Sequence, residues 1–156
     1  MRHPSWPIIV AMVLAQLPVA ARAGTTDDAC ALLTAAQVRA VVGAAVRDGT
    51  YVKPTAKTTC TWTATNSASG IRGITLSLLG VLRFTSGKSS EPVSPTGVMT
   101  VGSLGDVAYY PGANHSEGLI VEKGERAIRV AVDCTLPLEK KRALEKTLAQ
   151  QVLAKL

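Results

Sequence analysis

The period of apolar and polar positions changes along the chain from about 3.6 to two and back, and each change marks an element. Within Cys30–Gly43 the apolar positions Val38, Val41 and Val42 fall on one face of a short helix. Both of its ends carry stop and start signals. Thr34 and Gln37 have the T-x-x-Q spacing of a capping box, and Leu33 and Val38 sit where a hydrophobic staple would place them. Gly43 stands where a left-handed residue ends a helix. From Thr58 the period is two: Cys60, Trp62 and Ala64 share one face of a strand, with Thr61, Thr63 and Thr65 on the other. A polar turn over Asn66–Gly70 leads to a second strand, Ile71–Leu82, with Ile74, Leu76 and Leu78 in register, which predicts an antiparallel hairpin. Residues 44–57 read as a loop or a weak edge strand, and Thr85–Gly97, rich in Ser, Pro and Gly, as an exposed loop. Three more strands are predicted over Asp106–Pro111, Gly118–Glu122 and Arg126–Asp133, with Lys123-Gly124-Glu125 turning between the last two. Ile128, Val130, Val132 and Cys134 share a face there, the pattern of a sheet covered on one side.

The last predicted element is a helix over Leu138–Lys155, with Pro137 near its first turn. Leu144, Leu148 and Val152 form its apolar stripe, flanked by Leu153 and Leu156. Its polar face carries Glu139, Lys140, Lys141, Arg142, Glu145 and Lys146. The order helix, strands, helix predicts an α+β fold: an antiparallel sheet of five or six strands with an N-terminal helix and a C-terminal amphipathic helix.

The N-terminal residues change what the rest can mean. Met1–Ala23 has a positive start at Arg2, an apolar run over Ile8–Ala20 broken only by Gln16 and Pro18, and Ala21-Arg22-Ala23 as a small–x–small site. These are the parts of a cleavable signal peptide, residues 1–23, and the run is shorter than the roughly 20 residues a spanning helix needs. Residues 24–156 are then a single exported domain, periplasmic or secreted, with no transmembrane span. Cys30 follows Asp27-Asp28-Ala29 and not the small, apolar lipobox of a lipoprotein. The whole chain carries 17 Lys+Arg against 11 Asp+Glu, or +6; without Arg2 and Arg22 the balance is +4. At 47% hydrophobic residues the chain is neither disordered nor collagen-like, and its length leaves no room for a separate nucleotide-binding domain.

Export makes the cysteines informative, because an oxidising compartment favours disulfides. Cys30, Cys60 and Cys134 allow three single pairings, each leaving one thiol. No metal site or cofactor is predicted: no CxxC pair occurs, and His115 is the one histidine after residue 23. A nucleophile–base set is equally hard to assemble around one histidine. No P-loop, GxGxxG or HExxH motif occurs. With five aromatic residues after residue 23, stacking platforms for nucleic acid are not expected. The remaining candidate contacts with a ligand or partner are Tyr110, His115, Lys140, Lys141 and Arg142. Consecutive tyrosines on a strand face opposite ways, so one of Tyr109 and Tyr110 is expected at the surface.

Three short motifs resemble a group of exported, lipoprotein-like bacterial proteins. They are Cys30-Ala-Leu-Leu-Thr34, Cys60-Thr-Trp62 and Gly102-Ser-Leu-Gly-Asp-Val-Ala-Tyr109, followed by the closing helix. The resemblance implies a PsbP-like α/β/α sandwich and a Cys30–Cys60 disulfide, and it brings no catalytic residues. The chain departs from the family pattern in the Ser of Gly-Ser-Leu-Gly and in Cys134, which leaves Cys60–Cys134 as a rival bridge. The function expected is a non-catalytic domain binding an unknown protein or small ligand of the cell envelope. Two alternatives are a small periplasmic enzyme around Tyr110, His115 and Glu117, and a module docking on anionic surfaces through Lys140, Lys141 and Arg142.

Overall fold

The computed structural model describes residues 27–66, 68–80, 99–112 and 117–156. The expected signal peptide, the loop expected over Thr85–Gly97 and the candidate His115 lie outside the described residues. The chain begins with two short helices, α1 (Ala29–Leu32) and α2 (Ala35–Val42). Seven strands follow: β1 (Thr50–Lys53), β2 (Ala56–Thr63), β3 (Ile71–Leu79), β4 (Met99–Thr100), β5 (Val107–Tyr110), β6 (Leu119–Lys123) and β7 (Arg126–Cys134). The last element is α3 (Leu138–Leu153). All strands join one sheet in the order β1-β2-β3-β7-β6-β5-β4, and every neighbouring pair is antiparallel.

Local chemistry explains the elements that the pattern predicts. Thr34 Oγ1 accepts the Gln37 N–H at 3.2 Å, and Gln37 Oε1 accepts the Thr34 N–H at 3.0 Å, which completes the capping box of α2. Gly43 closes the same helix at φ +66°, in the left-handed region. The β2–β3 hairpin aligns Cys60 with Leu76 and Trp62 with Ile74, so the apolar faces match. β7 continues that face with Val130 opposite Leu76 and Val132 opposite Ile74. Gly124, at φ +58°, turns β6 into β7 and donates its N–H to Asp106 Oδ2 at 2.7 Å.

The expected sheet of five or six strands in an α/β/α sandwich is corrected here: among the described residues the sheet has seven strands, with three helices packed on it. Two short edge strands account for the difference. Residues 44–57, read as a loop or weak edge, supply β1, whose pairing with β2 is interrupted by a register shift between Tyr51 and Lys53. β4 is only two residues long, too short for a period of two to show. The helices share one face because one apolar face of the sheet serves them all. α1 packs on β2 and β3, α3 on β6 and β7, and α2 on α3, within one continuous core. The other sheet face carries Thr61, Thr75, Arg129 and Ala131 together with the apolar Val107, Tyr109 and Ile120.

The disulfide belongs to that core. Cys30 Sγ and Cys60 Sγ are bonded, with their Cα atoms 5.1 Å apart, tying α1 to β2. Register excludes the rival bridge. Cys60 aligns with Leu76 and hence with Val130, whereas Cys134 stands four residues further along β7, about 13 Å away along the strand direction. A disulfide needs Cα atoms within about 7 Å. Cys134 is a free, half-buried thiol.

Candidate functional site

The described residue that most departs from its type is Glu145, the one charged residue among them that is fully buried. The spacing of α3 explains its position. Leu148 and Val152 mark the apolar stripe, and stepping back along it gives Glu145 and then Lys141, one and two turns earlier. The stripe therefore changes from apolar to ionic half-way along the helix while still facing the sheet. The sequence reading placed Lys141, Arg142 and Glu145 on the solvent side, and the structure corrects this. The Lys141 and Arg142 side chains are only 13% and 12% exposed.

A gap in the sheet receives the glutamate. β6 begins at Leu119, opposite Val130, so the sheet offers no strand on that side to the N–H of Val132. Glu145 Oε1 accepts that N–H at 3.0 Å. Lys141 Nζ lies 3.7 Å from the same oxygen, an ion pair longer than a charge-assisted hydrogen bond. Glu145 Oε2 and Arg142 Nε are both buried and make no hydrogen bond. Tyr110, on β5, completes the cluster: it is fully buried, its hydroxyl donates to Arg142 O at 3.2 Å, and the Arg142 guanidinium sits 5.4 Å from its ring centre. Arg142 Nη1 also donates to Glu139 Oε1 at 3.1 Å.

The electrostatics follow from burial. Loss of water holds the Glu145 carboxyl above its ordinary value; the Val132 N–H, Lys141 and Tyr110 pull the other way without cancelling it. Burial, reinforced by the neighbouring Glu145 charge, pushes the Tyr110 phenol far up, against a smaller opposing effect of Arg142. A phenol so strongly protonated has no use as a general base near neutral pH.

The structure thus brings together three of the candidate contact residues, Tyr110, Lys141 and Arg142. Lys140 remains exposed, on a different side of α3. Of the expected tyrosine pair, Tyr110 is the one turned inward and Tyr109 the half-exposed one. Glu117, from the alternative enzymatic set, is exposed and its backbone carbonyl accepts Arg129 Nε at 2.7 Å. Glu145 was missed by sequence reasoning, and the signal available was its i+3 spacing from Leu148. Among the described residues no group of three His, Cys, Asp or Glu side chains is placed to hold a metal.

A separate, shallow cavity of about 290 Å³ lies between the end of β3 and the β6–β7 turn. Leu78, Leu79 and Ala127 line it, with Glu125 and the Asp27–Arg126 ion pair (3.5 Å) at its side. It contains none of the candidate residues. Comparisons of the chain with protein-family models, with curated proteins and with solved structures found no match.

Proposed function

We propose that the chain is an exported, disulfide-stabilised, non-catalytic domain that binds a protein or small ligand of the cell envelope. The observation that carries this reading is the Cys30–Cys60 bond. A disulfide between half-buried Cys30 on a helix and buried Cys60 on a core strand belongs to an oxidising compartment, since cytosolic reductants keep such thiols apart. The signal-peptide pattern of residues 1–23 supports the same destination. No helix among the described residues is long and apolar enough to cross a membrane.

The fate of the polar residues supports the non-catalytic part. Tyr110 and Glu145 are fully buried, Lys141 and Arg142 are 13% and 12% exposed, and their contacts join α3 to the sheet. Docking on anionic surfaces through the cationic triplet has only Lys140 fully at the surface.

A pull-down with the exported chain from periplasmic and secreted fractions tests the reading. A partner or ligand retained by the oxidised protein and lost on reduction is the expected result. Hydrolytic activity that disappears on His115→Ala or Glu117→Gln would overturn it.

A further inference from the structure

The two halves of α3 are fastened to the molecule by different forces. Fully buried Leu148, Ala149 and Val152 hold the second half, and Lys123 Nζ donates to Leu153 O at its end. The first half starts at Pro137 without a side-chain cap, leaves Leu138 exposed, packs half-buried Leu144 against the core, and otherwise meets the sheet through polar contacts. Those contacts are Glu145 Oε1 with the Val132 N–H and the Tyr110 hydroxyl with Arg142 O.

We propose that the first half of α3 is a proton-dependent latch, docked on β5 and β7 while Glu145 is protonated and released when Glu145 ionises. The geometry supports this in two ways. An ionised Glu145 would be fully buried with Oε2 lacking any hydrogen bond, whereas the neutral acid keeps the Val132 contact with no charge to solvate. Among the described residues, the Val132 N–H, Lys141 and Tyr110 favour the charged form without outweighing its burial. Lys141, from α3 itself, stands at 3.7 Å, and Arg142 directs Nη1 to Glu139 instead. From β5 comes the neutral phenol of Tyr110, and from β7 only the Val132 N–H, since Asp133 is exposed and paired with Arg72. Leu119 on β6 is apolar. Release would bring Lys141 and Arg142 to the surface beside Lys140, so the latch also controls how much cationic surface the domain shows.

Amide hydrogen exchange on the full chain tests this, followed from about pH 4.3, the ordinary glutamate value, to about pH 8 and corrected for intrinsic exchange. For a one-proton latch, protection of the α3 amides before Leu148 falls by up to about tenfold per pH unit above the transition, while β3 and β7 stay protected. Glu145→Gln, which cannot ionise, removes that fall. A Lys141→Met variant, lacking the nearest cation, moves the fall to higher pH, and it stands in should Glu145→Gln not fold. Parallel profiles in wild type and Glu145→Gln, an unmoved profile in Lys141→Met, or a loss spread evenly over the sheet would each overturn the latch.

Discussion

Asp28 holds four partners at once. Its Oδ1 accepts the N–H groups of Cys30 and Ala31 at 3.0 and 3.3 Å, which caps α1. The Tyr51 hydroxyl donates to both of its oxygens, at 3.0 and 2.9 Å, and Lys57 Nζ lies 3.5 Å away. Burial alone would raise the Asp28 carboxyl, but Tyr51, the Ala31 N–H, Lys57 and the Cys30 N–H together outweigh it and hold the group below its ordinary value. A carboxyl whose folded value is lowered adds stability above its unfolded value, and that stability is lost as pH falls through the folded value. Acid unfolding followed by circular dichroism should therefore show Asp28→Asn less stable than wild type at neutral pH, with the two converging in acid. A constant difference at every pH would contradict the assignment. Glycines at this scale separate two effects. At Gly49 a Cβ would sit 2.7 Å from Cys60 Sγ and 2.8 Å from the Trp62 indole, so Gly49→Ala should destabilise by about 1–3 kcal/mol through overpacking. Gly124 has open space but φ +58°, so Gly124→Ala should cost about 1–2 kcal/mol through backbone strain. Urea midpoints of the two variants measure both.

Among the elements, α2 shows how completely a short segment can specify itself. Its start, its buried Val38 and Val42 and its glycine stop are all local, and all are readable from Thr34, Gln37 and Gly43. Thr34→Ala should cost about 1 kcal/mol in urea unfolding. α3 was only half legible. Its apolar stripe could be read, but the continuation of that stripe through Glu145 and Lys141 depends on where β6 starts, a fact of strand pairing and not of helix periodicity. Leu148→Ala should cost about 2–5 kcal/mol, because the side chain is fully buried under α3. Lys140→Ala, at the exposed side, should stay within about 0.5 kcal/mol. A large effect at Lys140 and none at Leu148 would mean that the helix faces the other way. β4 escaped the period argument because two residues hold no alternation, while β1, read as a loop or a weak edge strand, is defined by its pairing with β2.

At the scale of the molecule, the seven strands and three helices of the described residues close on one apolar sheet face, and contacts distant in sequence hold the layers together. Lys155 Nζ donates to Leu32 O at 2.6 Å, satisfying the end of α1 from the far end of the chain. The disulfide works at the same scale, closing 30 residues of sequence separation between α1 and β2. On the loop-entropy account its removal, as Cys30→Ala with Cys60→Ala, should cost about 3–4 kcal/mol. The inward face of Cys60 could be read from the pattern. Which cysteines pair was decided by register, since Cys134 lies four residues past the level of Cys60. The claim that this is an exported, disulfide-stabilised domain is tested most directly by thiol mapping. The chain taken from the periplasmic or secreted fraction is alkylated before reduction and digested for mass analysis. The account predicts Cys30 and Cys60 recovered as one linked peptide pair, with Cys134 alone carrying the label. Labelled Cys30 and Cys60, or a bridge that includes Cys134, would contradict it.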